Sequence, residues 1–220
     1  MGRKHRSTDA GLKRAGISSD AQETEVRIIG GKFRGRRLRY HGDPVVRPMK
    51  HRTRESIFNL ISTECGGRHA IDLFAGTGAL GLEALSRGAA SATFIEKHVP
   101  TARIVEENIR TLGVADQSQL LVTSAFLWAK RDLPSAVASP PSEGGWLVFC
   151  SPPYVFYTER HAEMIELIGR IQQYAPPGSI LIVEADEHFD FDSLLKDQMS
   201  MASWDRRVYS PALVGIWRNG

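Results

Sequence analysis

The chain has 220 residues, 42% hydrophobic and 24% charged. It can therefore bury a core, which excludes global disorder; two cysteines are too few for a disulfide scaffold or a zinc ribbon, and no apolar run reaches the roughly 18 residues of a membrane span. The net charge of +3 conceals a split: residues 1–54 hold fifteen Lys and Arg against five Asp and Glu, whereas residues 55–220 hold thirteen against twenty, so nucleic acid is the first partner to consider.

Residues 1–25 are polar and read as a flexible basic tail. They lack the apolar stretch of a secretory signal, and the expectation is a soluble cytoplasmic protein with two free thiols, no membrane partner and a monomeric state. VRIIGGKFRGRRLRY, residues 26–40, reads as two short strands with Gly30, Gly31 and Gly35 at turn points. HGDP at 41–44 is a turn, and residues 45–48 are extended, since a residue before proline avoids the helical region. RTRESIFNLIS then sets Ile57, Leu60 and Ile61 on one helical face.

From there the chain alternates. AIDLF (70–74), SATFIE (91–96), QLLVTS (119–124), WLVFCS (146–151) and GSILIVEA (178–185) read as strands. GALGLEALSRGA, VPTARIVEENIRTLG and ERHAEMIELIGRIQQYA read as helices, the second capped by Gly113. Residues 133–145 read as a Pro/Ser/Gly surface loop, and SWDRRVYSPALVGIWR as a hairpin turning at Ser210-Pro211. Alternation of this kind predicts an α/β fold: a mostly parallel sheet with helices on both faces and an antiparallel hairpin at its end.

DLFAGTGALG follows the first of these strands, and Gly76, Gly78 and Gly81 match G-x-G-x-x-G. The match alone admits a dinucleotide enzyme, a nicotinamide-dependent oxidoreductase for example. Asp72 just before the loop would repel a pyrophosphate but suits an ammonium group, and Glu96 at the next strand end can accept hydrogen bonds from ribose hydroxyls. S-adenosylmethionine carries both groups and no phosphate. Ser124 and Ala125 stand where an adenine edge would lie, and Lys97, adjoining Glu96, joins the candidate cofactor contacts.

Ser151-Pro152-Pro153-Tyr154 follows WLVFC directly. Two prolines lock a rigid turn at a strand's carboxyl end. Oxygens of Ser151 and Pro152 can accept hydrogen bonds from an exocyclic amine, and Tyr154 can stack on a base. Pinning both N–H bonds aims the nitrogen lone pair for in-line displacement at a methyl carbon, with a sulfonium leaving and no metal required. Ser139-Pro140-Pro141 repeats the string in mid-loop, after no apolar strand, and is read as a decoy.

These stretches resemble the RsmD-type methyltransferases, which methylate a guanine exocyclic N2 amine in bacterial small-subunit ribosomal RNA. The likeness runs from about Val26 to the C-terminus through VRIIGGKFRGRRL, RPMKHRTRESIFNLI and DLFAGTGALGLEALSRGA. It implies a Rossmann-like S-adenosylmethionine methyltransferase fold with a seven-stranded sheet and a small N-terminal β-hairpin element. It also implies cofactor contacts at Asp72, Phe74, Gly76, Gly78, Glu96 and Ser124, and a target-amine site at Ser151, Pro152, Pro153 and Tyr154. Three places depart from the family pattern: Ser151 replaces a usual Asp, Met49 and His51 replace Thr and Asp in the Arg47–Arg52 segment, and Ser124 replaces Asp or Asn.

Residues 27–54 hold ten Lys and Arg and one acid, Asp43, interleaved with apolar residues. Such a segment can fold and present a surface that grips phosphates without reading sequence. Its candidate RNA contacts are Arg27, Lys32, Arg34, Arg36, Arg37, Arg47, Arg52 and Arg54. The expected organisation is a tail (1–25), an RNA-binding hairpin element (26–50) and a methyltransferase domain (51–220), acting on ribosomal RNA, the small subunit or an assembly intermediate. The alternatives are a DNA or RNA adenine-N6 methyltransferase, and a catalytically weakened ribosome-assembly or RNA-binding protein that retains S-adenosylmethionine.

Overall fold

The computed structural model describes residues 26–40, 49, 51–61, 63–138, 144–191 and 204–220. The tail at 1–25, the turn and extended stretch at 41–48 with Arg47, and Ser139-Pro140-Pro141 lie outside the described residues.

The N-terminal element is a two-stranded antiparallel pair, β1 (Val26–Arg27) and β2 (Arg37–Leu38), in which Val26 faces Leu38. Gly31 and Gly35 take positive φ values of 73° and 81° between the strands, as turn points should. At Gly31 a Cβ would also lie 1.9 Å from the Ser86 carbonyl oxygen, so the close approach itself demands glycine. Helix α1 (His51–Leu60) follows, with Ile57 and Phe58 buried.

The main sheet holds β3 (His69–Asp72), β4 (Ser91–Ile95), β5 (Ser118–Leu121), β6 (Trp146–Cys150), β7 (Ile180–Asp186), β8 (Asp205–Tyr209) and β9 (Ala212–Arg218). Its order is β5-β4-β3-β6-β7-β9-β8. Strands β3 to β7 run parallel, and β9 lies antiparallel to both its neighbours. The expected seven-stranded sheet and terminal hairpin are therefore present. Chain order reverses between β3 and β6, and this is the switch point at whose carboxyl edge open α/β sheets bind ligands.

Helices α2 (Ala79–Ser86) and α3 (Val99–Leu112) pack with α1 and the N-terminal element into one hydrophobic cluster. Helices α4 (Ala125–Arg131), α6 (Phe156–Glu159) and α7 (His161–Tyr174) contribute to a second, and Leu133 of α5 (Leu133–Ala138) joins it. Every residue of α2 after Ala79 is buried, because the sheet covers one side and the N-terminal element another. Gly113 ends α3 at φ 69°, the left-handed cap read from the sequence.

Two local expectations are corrected, and one helix is added. Residues 133–138 are helical rather than loop, since Leu133 is drawn wholly into the core. Helix α4 carried no readable signal, being only seven residues long with apolar positions on several faces. Ser124 does not end β5, whose pairing with β4 stops at Leu121; it is the N-cap of α4.

Candidate active site

A cleft of about 550 Å³ opens at the carboxyl edge of the parallel strands. It is lined in turn by Phe74 and Gly76 after β3, Glu96 and Lys97 after β4, Ser124 and Ala125 after β5, Ser151 to Tyr154 after β6, and Glu184 and Asp186 of β7. Met49 and Thr53 reach it from the N-terminal side. Among the described residues, no group of three His, Cys, Asp or Glu side chains is placed to hold a metal ion.

At one end Glu96 is fixed by two backbone donors. Its Oε2 accepts from the Gly76 N–H at 3.0 Å and its Oε1 from the His98 N–H at 2.8 Å. Each carboxylate oxygen has further lone pairs, so the half-buried Glu96 keeps acceptor capacity toward the cleft. Phe74, Phe126 and Phe156 form an aromatic wall with centroids 6.0 to 6.2 Å apart. The Arg160 guanidinium, which also lines the cleft, sits 4.0 Å from the Phe126 ring centre and steadies the wall. Ser124 makes no side-chain capping bond, which leaves its hydroxyl to the cleft.

Asp72 is only 1% exposed and does not line the cleft. Its Oδ2 accepts from the Gly81 N–H at 3.2 Å, and its Oδ1 is buried without a partner. Burial pushes this carboxyl up to about 7, the nearby Glu96 charge adds to the rise, and the Gly81 and Phe74 amides oppose it. Gly78 also lies off the lining; with φ 78° it starts α2 beside Leu82 and Val105. The structure thus brings Phe74, Gly76, Glu96, Lys97, Ser124 and Ala125 to the cleft and sets Asp72 and Gly78 beneath or behind it.

At the other end, all four residues of Ser151-Pro152-Pro153-Tyr154 line the cleft. Ser151 Oγ donates a hydrogen bond to Glu184 Oε2, and the Tyr154 hydroxyl donates to Glu184 Oε1 at 2.9 Å. Burial raises the Glu184 carboxyl above the usual range, while the two hydroxyl bonds pull it back.

A family model described as "Conserved hypothetical protein 95" matches residues 26–214. Ribosomal RNA small subunit methyltransferase D of Haemophilus influenzae is 31% identical over 173 residues, 78% of this chain and 84% of that protein. The Escherichia coli protein of the same name is 35% identical over 130 residues, 59% of this chain and 61% of that protein. The chain belongs to the RsmD family. The solved structure of Escherichia coli yhhF matches with a TM-score of 0.66 at 28% identity, covering 89% of this chain and 98% of that one. An RNA methyltransferase from Salinibacter ruber in complex with S-adenosyl-L-homocysteine shares the fold at a TM-score of 0.55 and 17% identity, covering 79% and 94%. The fold is the Rossmann-like fold of S-adenosylmethionine-dependent methyltransferases.

On this RsmD-family chain the N-terminal element is bolted to the domain. Buried Glu83 of α2 accepts the N–H groups of Ile29 and Gly30, each at 2.7 Å, and Arg87 Nε at 2.8 Å. Asn108 of α3 accepts the Arg39 N–H at 2.7 Å and donates to the Thr77 carbonyl in the glycine loop at 2.9 Å. Arg27, Lys32, Arg34, Arg36, Arg37 and Arg52 are exposed. Arg54 is corrected from the RNA-contact set: it is 2% exposed and donates from Nη2 to the Arg27 carbonyl at 2.6 Å, so it joins α1 to β1.

Sequence reasoning missed Glu184, Phe126, Phe156, Arg160, Met49 and Thr53. Glu184 had a usable signal, since a carboxylate near the carboxyl end of a parallel strand is the feature that picked out Glu96. The aromatic residues had none, because their convergence depends on the packing of α4 against α6 and α7.

Proposed function

We propose that this chain is an S-adenosylmethionine-dependent methyltransferase that places a methyl group on the exocyclic N2 amine of a guanine in small-subunit ribosomal RNA. The observation that carries the reading is the joining, in one cleft at the switch point, of Glu96 and the aromatic wall with the Ser151–Tyr154 turn. The small-subunit RNA substrate is supported by the names of the Haemophilus and Escherichia coli relatives.

The residues present fit the cofactor. Glu96 offers lone pairs for two ribose hydroxyls, and Phe74, Phe126 and Phe156 offer apolar faces to an adenine. Ser124, Ala125, Gly76 and Lys97 line the same cleft, where Ser124 and the Ala125 amide would meet the adenine edge and Gly76 and Lys97 would border the rest. Asp72, with its unpartnered Oδ1, contributes negative charge under the glycine turn where an ammonium group belongs. When bound, S-adenosylmethionine supplies an activated methyl group on a sulfonium, whose departure needs no protonation.

The remaining work belongs to the chain. Ser151 Oγ and the Pro152 carbonyl accept the two amine N–H bonds, which turns the nitrogen lone pair toward the methyl carbon. Tyr154 covers the face of the base. The base reaches this depth only when turned out of its stack, and Lys32, Arg34, Arg36 and Arg52 hold the flanking phosphates. A ribosomal RNA substrate, as the names of the relatives suggest, supports a cytoplasmic protein. Among the described residues, no helix is long and apolar enough to cross a membrane.

Tritium from labelled S-adenosylmethionine is expected to enter small subunits from cells lacking this protein, and nucleoside mass mapping should find N2-methylguanosine. N6-methyladenosine would favour the adenine alternative. No incorporation with intact RNA binding would leave an assembly protein, and thermal stabilisation by NAD but not by S-adenosylhomocysteine would overturn the cofactor.

A further inference from the structure

The strand beside the Ser151 turn lends it a carboxylate. Glu184 lies in β7, pairs with Val214 of β9, is 5% exposed and faces the cleft. Its Oε2 accepts from Ser151 Oγ and its Oε1 from the Tyr154 hydroxyl, while the Tyr157 hydroxyl donates to its main-chain carbonyl at 2.9 Å. Among the described residues its side-chain partners are two hydroxyls and no cation, a costly setting for a buried carboxylate.

The direction of these bonds matters. With its proton committed to Glu184, Ser151 Oγ shows only lone pairs to the cleft. It therefore meets an amine as acceptor, never as a competing donor, and a charged partner behind it strengthens that role. The Tyr154 ring is held by the same carboxylate.

We propose that Glu184 is the positioning residue of the methyl-acceptor site and the end of a Ser151–Glu184 proton relay, supplying from β7 the carboxylate that the turn after β6 does not carry. The proposal rests on the methyltransferase reading above. As the amine lone pair forms the N–C bond, the C–S bond breaks and its electron pair stays on sulfur. The nitrogen then holds one proton too many. That proton passes to Ser151 Oγ while the serine's own proton passes to Glu184 Oε2, so an ammonium and a carboxylate become a neutral amine and a neutral acid. Water at the cleft mouth takes the proton afterwards.

Around Glu184 stand Tyr154 and Tyr157 from the segment after β6, Cys150 from β6 and Asp186 on its own strand; β9 presents the apolar Val214. Burial holds the Cys150 thiol and the Tyr157 hydroxyl above their ordinary values, so both stay neutral near pH 7. The Asp72 carboxyl, held at about 7, acts on cofactor affinity and drops out of kcat at saturating S-adenosylmethionine.

The test uses the full chain, tritiated S-adenosylmethionine and undermethylated small subunits. Glu184→Gln keeps the shape but cannot take the proton. It is expected to lower kcat at least 30-fold, to leave the Kd of S-adenosylhomocysteine within threefold, and to lose the acid limb of the kcat profile. Ser151→Asp/Glu184→Gln, which moves the carboxylate into the turn, is expected to recover to within tenfold of wild type; a merely structural Glu184 would give no such rescue. A Glu184→Gln kcat within threefold of wild type overturns the relay, and so does a double variant no faster than the single one. Should Glu184→Gln fail to fold, Ser151→Ala decides: loss of rate and of the acid limb supports the relay, and full rate overturns it. No transfer by the wild type overturns the methyltransferase reading itself, a result distinct from unequal or equal variants of an active enzyme.

Discussion

Asp72→Asn separates charge from shape under the glycine turn. The folded protein holds the Asp72 carboxyl at about 7, against an ordinary value of 3.8. Between those values the folded state keeps a proton that the unfolded chain releases. Stability therefore declines as pH rises from about 4 to 7 and is level above, by roughly 4 kcal/mol in all. His69 works the other way. Burial holds it down to about 4 from 6.5, with its ring nitrogens bonded to Ser91 and Thr93 hydroxyls. The folded state refuses a proton that the unfolded chain takes, so this contribution is lost as pH falls from about 6.5 to 4. In the wild type the two slopes oppose each other across that window. Asn at 72 keeps an acceptor for the Gly81 N–H but leaves an amide N–H₂ unpaired, at a cost of about 1–3 kcal/mol. The variant is expected to be more stable than wild type by about 1–3 kcal/mol at pH 8 and to lose that advantage at pH 4, its curve differing from wild type by the Asp72 contribution. It is also expected to bind S-adenosylhomocysteine at least tenfold more weakly. Urea denaturation from pH 4 to 8, with calorimetric titration of the ligand, measures both. Parallel stability curves for the two proteins, or unchanged affinity, would refute the reasoning.

Tyr154→Ala is expected to lower kcat at least tenfold and leave S-adenosylhomocysteine affinity within threefold, as ligand titration and methyl transfer will show; equal losses in both would contradict the division of the cleft into two ends. Glu83→Gln should cost about 2–4 kcal/mol, because a fully buried charge accepts three N–H bonds there, and hydrogen exchange at Ile29 and Gly30 should accelerate. Unchanged protection at those amides would mean that packing alone docks the N-terminal element. Lys32→Ala and Arg34→Ala should each reduce the slope of log affinity for RNA against log salt by about 0.7–0.9 with cofactor binding intact, and a slope equal to wild type would remove that residue from the phosphate-binding face.

The alternation of apolar runs with helical periods was enough to place the central parallel strands, because a buried parallel strand must be apolar along its length, and the Ser210-Pro211 turn marked the terminal hairpin. The glycine loop, Glu96 and Ser151–Tyr154 were legible for a related reason: functional groups of such a sheet collect where its strands end. Less was readable where a residue's surroundings come from distant chain. Arg54 looks like one more cation in a basic run, yet the N-terminal strands fold over it and make it a core strut. Asp72 looks like a ligand contact, yet the start of α2 closes above it.

Sequence by itself therefore determined the strands of the sheet and two of the three carboxylates that matter, since each is written in local pattern and position; the strand order and its switch point came from the tertiary structure. Only the tertiary structure decided which groups meet. Glu184 stands 33 residues from Ser151, and nothing in either local stretch refers to the other. Parallel pairing of β6 with β7, Cys150 opposite Val183, sets their ends side by side and makes a serine and a glutamate one unit.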